Sequence, residues 1–165
     1  MGTKEIQFPA AGLMAVETNA APIEKINGTN VDKLVCAFDD TTEEYRNGIL
    51  HVPTDLDSSG TVTFRAYLYA KTAAASKNIE LRFGHVARND SEAFDTAYTN
   101  VDSGDKAIDA TQGDLTEVTF TATVSTLSWA ASDQVYFRVS RIAPSANNLS
   151  GDMYLESFAI EVPTT

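Results

Sequence analysis

The feature that most constrains the fold is a strict two-residue alternation that recurs along the chain. Between Gly60 and Tyr69, Val62, Phe64, Ala66 and Leu68 fall on one side, and Thr61, Thr63, Arg65, Tyr67 and Tyr69 on the other. That period places successive side chains on opposite faces of a strand, and a helix of period 3.6 cannot reproduce it. Ile79 to Phe83 repeats it, as does Val118 to Val124, where threonines face outward. Val135, Phe137 and Val139 form another inward set against Tyr136, Arg138 and Ser140. Near the end, Met153 and Leu155 share one phase while Phe158, Ile160 and Val162 share the other. A β-bulge near Glu156 and Ser157 lets both sets face the core, whereas an unbroken strand would bury Glu156 without an evident partner.

Leu34 to Phe38 and Gly48 to Val52 read as further strands, and turn-formers such as Asn27-Gly28, Asp57-Ser58-Ser59-Gly60 and Asp102-Ser103-Gly104-Asp105 separate the pieces. The expectation is an all-β, jelly-roll-like antiparallel sandwich of about eight strands. Lys71 to Ser76 lacks an amphipathic period, so it predicts at most one helical turn. Residues 90–113 are polar, and any strand around Ala93 to Tyr98 is expected to be peripheral. Residues 1–32 read as an extended arm in which Pro9, Gly12 and Pro22 interrupt short apolar pieces, with the sandwich domain at 33–165. Such an arm caps its own sandwich or crosses a neighbour. On the second arrangement, deleting residues 1–25 leaves the β-domain folded.

At 165 residues the chain is long enough to bury a sizeable core. Twelve basic against 23 acidic residues give a net charge of −11, which argues against nucleic acid and against an anionic membrane surface. No apolar stretch has the length of a transmembrane helix, and the N-terminus lacks the apolar core of a signal peptide. Synthesis in a cytoplasm without ordinary secretion is therefore expected, which leaves the three Asn-x-Ser/Thr sequons without meaning. The lone Cys36, in the apolar run Leu34 to Phe38, reads as a buried inert thiol and excludes an internal disulfide.

Chemistry is sparse. Asp55 to Gly60 resembles the opening of a calcium loop, but its twelfth position is Ala66 rather than a bidentate glutamate, so a polar turn is expected. Asp39, Asp40, Glu43 and Glu44 lie in a threonine-rich loop that predicts solvated carboxylates, not an acid held protonated in apolar surroundings. His51 and His85 stand in no zinc-type doublet and near no serine elbow. No catalytic residue, metal site or cofactor is expected, and the chain is not read as an enzyme. The candidates are interface residues: Phe8, Leu13 and Met14 on the arm, and Tyr67, Tyr69, Trp129 and Tyr136 on the sandwich. Tyr67, Tyr69, Tyr136 and Trp129 make a sugar-stacking platform only if they share an exposed face; packing at a subunit interface is the preferred reading.

Several short motifs occur in order: Asn27-Gly28-Thr29-Asn30, Ala37-Phe38-Asp39-Asp40-Thr41-Thr42, Val52-Pro53, the long alternating strand, Phe137-Arg138-Val139-Ser140-Arg141 and Leu149-Ser150-Gly151-Asp152. Together they span roughly residues 27–162 and resemble a recurrent family of small tailed-bacteriophage virion proteins with a jelly-roll-like fold. The chain departs from that pattern at Ser132-Asp133, where similar sequences commonly have Gly-Asp. The resemblance implies a virion structural protein, foremost a capsid decoration or cement subunit. Its partners would be the major capsid protein or other virion proteins, and it would form a homo-oligomer, a trimer or dimer. A tail or fibre-associated domain, or a carbohydrate-binding module with a glycan partner, are the alternatives.

Overall fold

The computed structural model describes residues 2–93 and 96–165. Its strands are β1 (Gly2–Pro9), β2 (Met14–Ala15), β3 (Ile23–Asn27), β4 (Asp32–Phe38), β5 (Tyr45–His51), β6 (Thr61–Ala70), β7 (Asn78–Arg88), β8 (Thr99–Asp102), β9 (Lys106–Ala107), β10 (Thr116–Thr123), β11 (Gln134–Ile142) and β12 (Met153–Thr164). A 3-10 turn covers Ala10–Gly12, and a single helical turn, α1 (Val124–Leu127), follows β10. Thr123 caps that turn by accepting a hydrogen bond from the Thr126 amide.

The strands form two antiparallel six-stranded sheets packed as a jelly-roll-like sandwich. Sheet A runs β10-β6-β12-β4-β3, with β1 also on β12; sheet B runs β2-β5-β11-β7-β8, with β9 also on β7. The alternation read in β6, β7, β10 and β11 is the alternation of burial: Val62, Phe64, Ala66 and Leu68 are fully buried, and so are Leu81, Phe83, Val135 and Phe137. The β12 bulge lies where the pattern required it, with the register against β6 shifting between Leu155 and Ser157. Its result is that Met153, Leu155, Phe158, Ile160 and Val162 are all buried.

Rings from both sheets meet at the centre. Phe83 of sheet B lies 4.4 Å from Phe64 and 5.9 Å from Phe158 of sheet A, and 5.4 Å from Phe137 beside it. Each fully buried ring stabilises by about 1.5–3 kcal/mol through area removed from water. Gly48 of β5 faces this cluster, and a Cβ there would stand 2.2 Å from the Phe137 ring.

More strands form than the roughly eight expected, and the first 32 residues account for much of the difference. They lie on their own sandwich. β1 pairs along its whole length with β12, from Gly2 opposite Thr164 to Pro9 opposite Ser157. β2 pairs with β5, β3 with β4, and the buried Arg46 donates to the carbonyls of Ala21 and Leu13, clamping the intervening segment. Ala10, Leu13 and Ala21 belong to the core. The expectation that residues 1–25 can be removed without unfolding is therefore corrected, because those residues supply backbone partners and core side chains. The strand considered around Ala93 to Tyr98 falls partly on residues 94 and 95, outside the described residues; the short strand seen in that region is β8. Lys71 to Ser76 forms bends and a turn.

Candidate functional site

The loops that carry the densest acidic chemistry are structural. Asp39 accepts from the amides of Thr41 and Thr42 and from the Thr41 hydroxyl, and these bonds hold its carboxyl below the usual range. Glu44 accepts from the Asp39 amide, Glu43 from the Ser140 hydroxyl, and Asp40 from the Gly151 amide. At the centre is Arg141, 2% exposed, which donates to the carbonyls of Phe38, Gly151 and Leu149 and to Asn148 Oδ1. Burial lowers its pKa, with Asp40, Asp152 and Asp39 opposing that shift. Three of the short motifs, Ala37 to Thr42, Phe137 to Arg141 and Leu149 to Asp152, thus converge on one buried guanidinium. They specify a joint between strands.

The other titratable candidates are similarly engaged. Asp57 accepts from the Ser59 amide and hydroxyl in the turn before β6, and Asp55 pairs with Lys4 at 2.6 Å. Cys36 is fully buried, its thiol donates to the Ala10 carbonyl at 3.6 Å, and burial raises its pKa to about 11. His85 is 3% exposed; its Nδ1 accepts from Trp129 Nε1 at 3.3 Å, and burial lowers its pKa to about 4. Among the described residues no group of three or more His, Cys, Asp or Glu is placed to hold a metal ion.

The structure separates the seven interface candidates. Leu13, Tyr69 and Trp129 are buried at 3, 4 and 4% exposure, so as surface residues of the free chain they are corrected. Phe8 is half-buried with its ring edge-on to Phe137 at 4.8 Å. Tyr67 and Tyr136 are half-buried on the outer faces of different sheets, and Met14 is exposed. Trp129 packs inward beside His85 and Phe83. Tyr67, Tyr69 and Trp129 therefore form no common platform. Tyr69 is outward by alternation yet covered: it packs with Val35, Ala37 and Tyr154 in a second small cluster on the outer face of sheet A, with Lys33 4.4 Å above its ring.

Two surfaces remain that sequence reasoning did not single out. The first is the hairpin of β3 and β4. β4 pairs with β12 only at Cys36, Ala37 and Phe38, and beyond those residues its sheet partner is β3. Leu34 and Ile23 are in phase with buried Cys36, yet they are 45% and 37% exposed, and Val31 at the tip is 67% exposed. Three of the six exposed large hydrophobic residues among the described residues thus sit on this one hairpin.

The second is the outer face of sheet B. Register places His51 abreast of Gln134 and Arg88, Ile49 abreast of Tyr136, and Asn47 abreast of Arg138 and Gly84. The Arg138 guanidinium lies between two rings, 4.6 Å from Tyr45 and 4.5 Å from Tyr98, and Arg88 lies 5.3 Å from Tyr136. Gly84 makes room for this packing, since a Cβ there would stand 2.9 Å from both Arg138 Nε and Asn100 Oδ1. At one end is an open cleft of about 520 Å³, whose lining includes His51, Arg88, Ser132, Gln134 and Tyr136.

No family model and no curated protein matches the chain. Among solved structures it is similar to a xylan-binding module, CBM15, at 10% identity and a TM-score of 0.46 over 99% of each chain. It is also similar to the CBM22-1 xylan-binding domain from Paenibacillus barcinonensis Xyn10C, at 14% identity and a TM-score of 0.41, over 96% of this chain and 86% of that one. A chain from the infectious bursal disease virus Gx strain is similar over 99% of this chain and 34% of that one, at 7% identity and a TM-score of 0.43. At these values the likenesses carry no argument about function, and the sandwich assignment stands on the strand topology itself.

Proposed function

We propose that the chain is a structural protein of a tailed-bacteriophage virion, a capsid decoration or cement subunit held to the major capsid protein by protein–protein contacts. The sequence motifs between residues 27 and 162 first suggest this reading. The observation that carries it is the β3–β4 hairpin, where Ile23, Val31 and Leu34 present aliphatic surface beyond the sandwich. Clustered exposed aliphatic residues on a projecting element suit insertion into a neighbouring protein better than a life in water. On this reading the contact with a neighbour, one of the two arrangements expected for residues 1–32, falls to this hairpin. In a symmetric particle the subunit would sit as a trimer or dimer around its attachment points.

The test is co-sedimentation with purified heads. The wild-type chain should be present at high copy on full and empty heads, and the double substitution Val31→Asp and Leu34→Asp should lose that occupancy while its circular dichroism is unchanged. Undiminished occupancy of the double variant would overturn the hairpin contact. Detection at the tail tip alone would replace the capsid reading with a tail-associated one.

A further inference from the structure

We infer that the outer face of sheet B is a glycan-binding surface that takes a neutral polysaccharide chain, independently of the hairpin that attaches the subunit. From the row of His51 and Gln134 to that of Tyr45 and Ser140 is six residues along β5 and β11, or roughly 20 Å at about 3.4 Å per residue. Several linked sugar rings fit along that length, and the cleft beside Gln134 and Tyr136 has room for about one more unit of the chain to turn in.

The chemistry along the face is what a polyol requires. Tyr136 offers an apolar ring beside the exposed Ile49 for the C–H faces of a sugar. Gln134 and His51, whose Nε2 atoms lie 3.5 Å apart, place an amide and an imidazole side by side for vicinal hydroxyls. Within the same face Asn47 Oδ1 and Arg138 Nε, abreast in the register, are buried with no hydrogen-bond partner in the chain. Buried polar atoms are nearly always satisfied, so a face with two such enclosed atoms holds unfilled bonding capacity, which an outward turn of either side chain would offer to a hydroxylated ligand.

Charge selects among polysaccharides. The chain carries a net −11, which repels a polyanion at long range. Asp90 and Glu92 stand on the rim of the cleft, and Arg82 is neutralised by a bidentate pair with Asp102. Arg138 is held between tyrosine rings. A neutral chain meets none of the repulsion that a uronic acid polymer would.

Affinity electrophoresis of the intact chain tests this, in native gels cast with a neutral β-glucan, galactomannan or xyloglucan, and with alginate as the acidic control. Retardation is expected in at least one neutral gel and not in alginate. Tyr136→Ala and Gln134→Ala should each weaken the retardation about tenfold or more, whereas Tyr67→Ala on the opposite sheet should leave it unchanged. Thermal melts identify a variant that has merely unfolded, and Gln134→Ala, half-buried at the start of β11 and outside the core, keeps the test available if Tyr136→Ala does so. No retardation in any neutral gel, retardation in alginate alone, or retardation that survives Gln134→Ala overturns the inference. Because the hairpin variants Val31→Asp and Leu34→Asp should bind glycan normally, failure here leaves the attachment result standing, and the reverse also holds.

Discussion

The outer faces of the two sheets are made from the same kind of alternating strand and finished in opposite ways. On sheet A, Arg65 reaches Glu117 on β10 at 2.8 Å, Glu161 on β12 at 3.0 Å and Glu5 on β1 at 4.0 Å, tying four strands across their backs. Lys33 pairs with Glu156, and Lys71 pairs with Asp152 and lies 5.3 Å from the Tyr154 ring, so the tyrosine cluster is roofed by cations. On sheet B Arg88 and Arg138 lie against tyrosine rings, Asn47 Oδ1 and Arg138 Nε are buried without a hydrogen-bond partner, and a cleft opens at one end. A face whose charges pair with one another across four strands stabilises the fold. One that leaves its interactions incomplete is available to something else.

The severest way to break this contrast is to remove the strand that finishes sheet A. Deleting residues 2–25 strips β1, β2 and part of β3, exposes the flank of β12, and should lower stability by more than about 5 kcal/mol, enough to unfold a marginal domain. Urea titration followed by circular dichroism reads this directly, and a cooperative transition near the wild-type midpoint would show that sheet A does not depend on it.

A second break acts from beneath sheet B, by acid. His85 on β7 is neutral in the fold, with its pKa lowered from 6.5 to about 4 by burial, while in the unfolded chain it titrates normally. As pH falls from about 6.5 to 4 the unfolded state takes up the proton first. This group should therefore remove about 3 kcal/mol of stability across that window and nothing further below it. The measurement is unfolding free energy against pH, with His85→Phe as control; identical curves for both proteins would refute the assignment.

A sharper comparison lies within the roofed cluster of sheet A. The Tyr154 hydroxyl donates to Glu24 at 2.7 Å, whereas the Tyr69 hydroxyl is buried without a hydrogen-bond partner. Tyr154→Phe should therefore destabilise by about 1 kcal/mol, and Tyr69→Phe should be neutral or stabilising by up to about 1 kcal/mol. Thermal melts of the two variants decide it, and equal losses would mean that Tyr69 has found a partner. The smallest effect is expected at Arg65→Met, on an exposed network. It should lower the melting temperature by less than Tyr154→Phe does, and the loss should shrink in high salt, since screening removes what the network supplied.

Most of the sandwich was legible because alternation reports burial directly. Phe64, Phe83, Phe137 and the bulge in β12 all follow from which phase is apolar. The arm was not, because β1 is an edge strand whose Lys4, Glu5 and Gln7 are exposed and whose pairing with β12 joins positions 2 and 164. No local pattern encodes a partner at that distance. Trp129 was misread for a related reason: it follows a one-turn helix that directs it inward onto His85, and period-two logic does not extend through a helix. Tyr69 was placed on the correct face, but alternation is blind to a second layer of lysines over that face. The surface on sheet B depends on which rows lie abreast, and that requires the register between β5, β11 and β7.

The pairing of β12 also orders events in time. β12 lies between β6 on one side and β4 and β1 on the other, so the central strand of sheet A is the last one in the sequence. On a ribosome, every other strand of that sheet emerges with its middle missing. Contacts of such long sequence separation also slow the search for the native pairing. Sheet B, whose strands all precede residue 143, can assemble first and wait. The nascent chain therefore carries an open, apolar-faced half-sandwich until residues 153–164 close it. An interruption of synthesis shortly before that point should yield an aggregating species rather than a smaller folded one.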